Sequence, residues 1–465
     1  MLNIKNLNLS YEGKNILEDI NLEIKEGEVF VLTGFSGTGK SSIIKILNGI
    51  IPEMSGGKIS GEIILNGESI HDKNISQRSK YVSTVFQNPK TQFYCLESTD
   101  EIAFPLENRN IDREVIFEKI DTYTKLLNTE KLMDKNIFSL SGGEKQLVAI
   151  TSVVAMDNKI YLFDEPSASL DHESIGLLKK AILKLKKMGK IVIIAEHRLY
   201  YLMDILDTLA IISDKKISTF SKEDLKKDDF KEKIKKEYIL RSFKEIPKNK
   251  LISSNYKKIN LLQNDNLLEK NNVLKCLDFQ VKFDKEKIIN TSVGFEDGIN
   301  FIIGENGVGK STFIKRLSNI YKGKGKTFYK ESYVKKSYDY ISMVMQDVNY
   351  QIFTESVWSE ISIVSDDKDK KEKILKELDL YDKKDFHPQI LSGGEKQRLM
   401  IALAKASKKP IVILDEPTSG LCKKQLLSMV NYLKEMKDEG KIVIVITHDY
   451  EFISLCGGNI YEFVR

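Results

Sequence analysis

The sequence predicts an α/β protein made of two copies of one domain, each built on a mostly parallel sheet, and three observations carry that expectation. The phrase LSGGEKQ stands at residues 140–146 and again at 391–397, and Asp-Glu-Pro begins at Asp164 and at Asp415, so both recur 251 residues apart. His197 and His448, each closing an apolar run, keep the same spacing. The glycine loops GFSGTGKS (34–41) and GENGVGKS (304–311) each lie between an apolar run and an amphipathic stretch, the order strand, loop, helix. The apolar runs IVIIA (191–195), IVIL (411–414) and IVIVI (442–446) are five residues or fewer and rich in β-branched side chains. Such runs mark strands buried on both faces of a parallel sheet.

Length and composition allow this plan. A chain of 465 residues can hold two or three domains with full cores. Lys and Arg (72) exceed Asp and Glu (67) by only five, so no nucleic-acid partner is expected. Cys95, Cys276, Cys422 and Cys456 are far apart and form no CxxC, which argues against a disulfide framework or a zinc site and for free thiols in a reducing cytoplasm. The amino terminus lacks a signal-peptide layout, and no apolar run approaches the roughly 18 residues that span a bilayer. Residues 221–272 are dense in Lys, Asp, Glu and Asn. Their composition predicts a charged terminal helix and then a solvated linker, with domains at 1–232 and 272–465 and the linker at 233–271.

The motifs point to nucleotide chemistry. In Gly34-Phe35-Ser36-Gly37-Thr38-Gly39-Lys40-Ser41-Ser42 and Gly304-Glu305-Asn306-Gly307-Val308-Gly309-Lys310-Ser311-Thr312, the glycines let consecutive N–H groups point at a polyphosphate. The helix that follows presents its positive end, Lys40 or Lys310 reaches the phosphates, and Ser41 or Ser311 is placed to bind Mg2+. Apolar strands then end in Asp164-Glu165 and Asp415-Glu416. The aspartates are candidates to hold Mg2+, and Glu165 and Glu416 to polarise the attacking water.

LSGGEKQ placed so that its serine, Ser141 or Ser392, lies 23 residues before Asp164 or Asp415, with a later histidine at a strand end, resembles the ATPase subunit of ABC transporters. The resemblance covers both halves and implies two tandem P-loop NTPase domains of ABC ATPase type, each with a mostly parallel sheet core plus a helical subdomain carrying LSGGE. It implies ATP and Mg2+ as ligands and two sites shared between the halves of the chain. One site would use residues 34–42, Gln87, Asp164, Glu165 and His197, completed by Ser392, Gly393 and Gly394. The other would use residues 304–312, Gln346, Asp415, Glu416 and His448, completed by Ser141, Gly142 and Gly143. Gln87 and Gln346 would join the Mg2+ ligands, His197 and His448 would contact the terminal phosphate, and Tyr11 and Phe283 would stack on adenine.

After each glutamine the sequence repeats a further pattern: Gln92 and Gln351 five residues on, Glu101 and Glu360 fourteen on. This looks like the ATPases of energy-coupling-factor importers of vitamins or transition-metal ions. It implies an integral membrane scaffold subunit and a small substrate-binding membrane subunit as partners, and a place on the cytoplasmic face of the membrane. Two other classes share the tandem plan. Soluble translation factors typically read DEPTNHLD where this chain reads DEPSASLD and DEPTSGLC, and tandem sugar importers usually carry one decayed half. The second copy is 19 residues shorter between its lysine and LSGGE, 11 before Gln346 and 8 after it, within the region expected to dock. Cys422 stands where the first copy has Asp171, and a thiol accepts hydrogen bonds weakly, so the two sites are expected to be competent but unequal.

Overall fold

The computed structural model describes residues 1–87, 92–168, 170–252, 255–264, 266–283 and 286–465. The chain divides into two compact units, the first made of Met1–Glu245 with Cys422–Lys424 and the second of Ile246–Leu421 with Gln425–Arg465.

In the first unit a six-stranded sheet runs in the order Lys216–Ser221, Thr208–Ser213, Val29–Gly34, Ile191–Ala195, Ile160–Asp164, Val82–Val85. Every pairing is parallel except the edge hairpin of the first two strands. Alternation explains why these strands read as unbroken apolar runs. Val29, Val31, Tyr161, Phe163, Val192 and Ile194 join one core, while Phe30, Leu32, Ile160, Leu162, Ile191 and Ile193 join the other. Both faces are therefore dry, as parallel sheets require. A four-stranded antiparallel sheet, Lys14–Ile24, Leu2–Tyr11, Lys58–Leu65 and Glu68–Ser69, closes one core. Helices Ser98–Glu107, Arg113–Leu127 and Gly142–Ala155 close the other and form the helical subdomain that carries LSGGE.

The second unit repeats the plan. Its sheet order is Tyr256–Asn260, Asn459–Val464, Ile299–Ile303, Ile442–Ile446, Ile411–Asp415, Ile341–Val344, and all pairings are parallel. Its edge strand comes from the stretch expected to be a linker. Ile259 and Leu261 are buried there, and Lys248 and Tyr256 both hydrogen-bond Glu462. Ile234, Leu240 and Phe243, also from that stretch or beside it, sit in the first unit's core. Composition hid this because one or two apolar residues per segment make the contacts among many lysines and asparagines. The part of the shortening that follows Gln346 falls in the helical subdomain. Helices Val357–Ser362 (6 residues) and Lys368–Glu377 (10) stand where the first unit has 10 and 15.

Candidate functional sites

Each glycine loop leaves a central strand and enters a helix. Gly34 and Gly304 have φ of 143° and 145°. A Cβ at Gly34 would stand 2.5 Å from Ile212 O, and one at Gly304 would run into Phe463 O, so only glycine lets the loop leave the sheet here. Gly39 and Gly309, with φ of 102° and 115°, are the N-caps of helices Lys40–Leu47 and Lys310–Leu317. Neither has a side chain to cap the helix, so the first amides face the loop's own concavity. Lys40 Nζ donates to Gly34 O (3.3 Å) and Phe35 O (2.8 Å), and Lys310 Nζ to Gly304 O and Glu305 O (both 2.8 Å). Lys40 is buried, and burial lowers its pKa against the pull of the nearby carboxylates. A buried ammonium held on weak carbonyl acceptors fits a phosphate as its better partner.

Ser41 Oγ donates to Asp164 Oδ1 at 2.9 Å, and Ser311 Oγ to Asp415 Oδ1 at 3.4 Å. Burial raises the pKa of both aspartates, opposed chiefly by these serine bonds. A hard cation set between hydroxyl and carboxylate would relieve that cost, so the oxygen donors suit Mg2+. Glu165 and Glu416, the next residues, have φ of 47° and 50°, a left-handed backbone that side chains rarely adopt. Backbone bonds hold both there, Glu165 N to Ala195 O (2.8 Å) and Glu416 N to Ile446 O (3.0 Å).

His197 Nε2 lies 3.6 Å from Glu165 Oε1, and His448 Nε2 lies 3.5 Å from Glu416 Oε1. In the first unit this is not an ion pair. Burial and the neighbouring Glu196 carboxylate push Glu165 up to about 8, while burial, with Lys40 and Arg241 nearby, holds His197 well below its ordinary range. A carboxyl group poised near neutrality suits general-base work. His197 Nε2 is buried with no hydrogen-bond partner, an opening for an acceptor such as a phosphate oxygen. His448 Nε2 instead meets Asn306 Oδ1 of its own glycine loop at 3.1 Å. Gln87, two residues past its strand, donates to Glu165 Oε2 at 2.7 Å, and Gln346 is exposed at the matching position. Tyr11 ends strand Leu2–Tyr11 of the antiparallel sheet, half-buried beside Gly57. Phe283 ends strand Leu274–Phe283, and its side chain lies outside the described residues.

Ser141 and Ser392 are N-caps of helices Gly142–Ala155 and Gly393–Ala406, each in a capping box with Glu144 or Glu395. A Cβ at Gly142 or Gly393 would meet nothing within 4 Å. Packing inside the chain therefore gives no reason for glycine at either position, which suits a surface approached closely by a ligand. Gly143 and Gly394 follow in the first turn of the same helices.

The repeated pattern after the glutamines has a local meaning that sequence reading missed. Gln92 Oε1 accepts from Phe86 N (3.1 Å) while its Nε2 donates to Thr84 O (3.2 Å), and Gln351 makes the same pair with Met345 N and Met343 O (both 2.7 Å). Glu101 accepts from Tyr94 N and Cys95 N, and Glu360 from Phe353 N and Thr354 N. These side chains close the loop on itself. Asp171 also has a local task, since its side chain caps helix His172–Lys187 by accepting from Ser174 N at 2.9 Å. Cys422 stands one residue before the matching helix, Lys423–Asp438.

A glycine loop, a strand-end carboxylate pair and a helical insert with its own capped anion site define a P-loop nucleoside triphosphatase present twice. The ABC transporter family model matches residues 17–168 and 290–419, more than half of the chain, and the chain belongs to that family. As members of it, both domains bind ATP with Mg2+ and the chain is an ATPase. Two proteins of Treponema denticola described as ABC transporter ATP-binding proteins are 37% and 32% identical to it, over 99% and 97% of this chain and 96% and 93% of their own lengths. Among solved structures, one titled RNase-L Inhibitor aligns with 97% of this chain and 86% of its own at a TM-score of 0.63 and 21% identity, a likeness of fold.

Proposed function

We propose that this chain is the ATP-hydrolysing subunit of a membrane importer of the energy-coupling-factor type. The observation that carries the reading is the surface beside each glutamine loop. In the first unit Tyr94 is 79% and Phe138 76% exposed, and Leu96 is exposed as well. Ile137 N donates to Leu96 O at 2.8 Å, which ties the segment before Phe138 to the segment that bears Tyr94 and Leu96. In the second unit Phe353 is 80% and Ile390 69% exposed, and Lys396 bridges their loops through Asn349 (3.0 Å) and Gln389 (3.2 Å). Exposed aromatic groups on a loop clamped by its own side chains suit docking of a partner. No helix among the described residues is long and apolar enough to cross a membrane, so transport requires membrane subunits as partners.

In this reading Lys40 and Lys310 hold the phosphates, and Ser41, Gln87 and Asp164, with Ser311, Gln346 and Asp415, hold Mg2+. Glu165 and Glu416 accept a proton from the attacking water, and His197 and His448 meet the terminal phosphate. Each site is completed by Ser-Gly-Gly of the other half, Ser392-Gly393-Gly394 or Ser141-Gly142-Gly143, whose capped helix start adds donors where charge builds. ATP then favours association of the halves because that state binds it better. The chain works as a peripheral protein on the cytoplasmic face of the membrane.

The test is to capture the tagged chain from detergent-solubilised membranes of its native host and to identify what accompanies it. A polytopic scaffold protein with a small membrane subunit is expected. Ribosomal proteins in their place, with the chain absent from membranes, overturn the importer reading in favour of a translation factor.

A further inference from the structure

Glu196 has no place in the motifs above, yet it is 2% exposed and beside the reacting groups of the first unit. One carboxylate oxygen accepts from His197 N (2.8 Å) and Arg198 N (3.0 Å). The other accepts from Tyr201 Oη (2.9 Å) and Ser167 N (3.4 Å). Arg198 Nη1 donates to Ser167 O at 3.3 Å. Two side chains that flank His197 therefore grip both the N–H and the C=O of Ser167, two residues past Glu165. The second unit does this differently: Thr447 occupies the matching position, meets Thr418 hydroxyl to hydroxyl at 3.3 Å, and accepts from Asp449 N at 3.1 Å.

We propose that Glu196 is a positioning residue of the first ATP site, a latch that fixes the segment bearing His197 against the turn bearing Glu165. The first unit joins the two segments by two charge-assisted contacts, to the N–H and the C=O of Ser167, where the second has one neutral hydroxyl pair, and the Glu196 carboxylate gathers four donors. Glu165 needs such support because its backbone is left-handed. An error of about 1 Å in such groups costs on the order of 100-fold in rate. The latch thus acts on the chemical step, whereas ATP is bound by the glycine loop on another segment. It also makes the first site differ from the second for a reason independent of Cys422. The inference rests on Glu165 being the hydrolytic group.

The experiment is single-turnover ATP hydrolysis by the full chain in two backgrounds, Glu416→Gln to report the first site and Glu165→Gln to report the second. Glu196→Thr installs the second unit's residue. In the Glu416→Gln background the maximal rate is expected to fall about 10-fold or more, with the ATP concentration for half-maximal rate shifting less than about 2-fold. In the Glu165→Gln background the residual rate should change less than about 2-fold. Glu196→Gln keeps the shape and one accepting oxygen and should retain more activity than Glu196→Thr. Tyr201→Phe, which deletes one donor and leaves the ring in the core, should slow the first site by less. An unchanged maximal rate in the Glu416→Gln background, or equal losses in both backgrounds, overturns the latch alone. Undiminished hydrolysis at the first site in Glu165→Gln by itself overturns the assignment of Glu165, and the latch with it.

Discussion

Replacing Glu101 tests whether the glutamine loop is held by the chain's own side chains. Glu101 Oε2 accepts from Tyr94 N and Cys95 N, both at 2.8 Å, and the residue is 5% exposed. Each bond to a charged acceptor contributes about 1.5–3 kcal/mol, and water recovers part of this because the Tyr94 side chain lies open. Glu101→Ala should therefore cost about 2–4 kcal/mol of local stability, or exchange of those two amides about 30- to 1000-fold faster. In Glu101→Gln the carbonyl oxygen still has two lone pairs for the same two donors, so the cost should stay below about 1 kcal/mol. Hydrogen exchange followed by mass spectrometry on peptides covering residues 92–97 reads the difference. Unchanged exchange in Glu101→Ala, or equal loss in both variants, would refute the clamp. Burial raises the Glu101 pKa above its ordinary 4.5, so the folded chain binds that proton more tightly than the unfolded one. Its contribution to stability is then greatest at low pH and declines as pH rises from 4.5 through the raised value, a dependence that Glu101→Gln should remove.

Other expectations concern the strands, the loops and the paired glutamates. Gly61 and Gly325 have φ of 109° and 107°, and a Cβ there would stand 2.5 Å from Asn6 O or 2.6 Å from Leu277 O. Gly61→Ala or Gly325→Ala should destabilise its own unit by about 2 kcal/mol or more, and an unshifted thermal midpoint would contradict the close approach. Lys40→Ala and Lys310→Ala should each lower the stoichiometry of bound ATP analogue from two to one in equilibrium titration, and two retained sites would count against the loop assignments. Glu165→Gln and Glu416→Gln should leave unequal residual ATPase, and equal residual rates would remove the case for inequivalent sites.

The duplication, the order of strand, loop and helix, and the burial of both sheet faces were legible because each is written in contiguous residues with a period or a fixed spacing. Lys40, Ser41, Asp164, Glu165 and His197 were legible for the same reason, since a motif names them. The edge strand Tyr256–Asn260 was not, because among its residues only Ile259 is buried and the pairing partner lies some 200 residues away at Asn459–Val464. Glu196 was missed although it stands beside His197. A charged residue next to a strand end ordinarily reads as exposed, and only the positions of Ser167 and Tyr201 show four donors converging on it. The one signal available was the mismatch between copies, Glu196 against Thr447, in a segment otherwise in register. Gln92 and Glu101 were noticed as a repeated pattern, but their task of closing a loop is invisible without the backbone amides they serve.

The two copies differ in their supports more than in their reacting groups. Both keep the lysine on its loop carbonyls, the serine on the aspartate, the left-handed glutamate and a histidine within about 3.6 Å of it. What changes is the holding of those groups. Glu196 and Arg198 latch the first pair where Thr447 and Thr418 meet in the second, and His448 engages Asn306 of its loop while His197 Nε2 has no hydrogen-bond partner. Asp171 caps a helix at a position where the second copy offers a thiol. Substitution of a reacting group changes which steps are possible, whereas substitution of a support changes how often the groups are aligned. The pattern of differences therefore predicts two sites that carry out the same hydrolysis at different rates, not one working site beside a dead one. The shorter helices of the second unit place a further difference in the subdomain that bears the exposed aromatic faces. In the importer reading proposed above, such unequal faces would suit unlike sites on a membrane partner better than two equivalent ones.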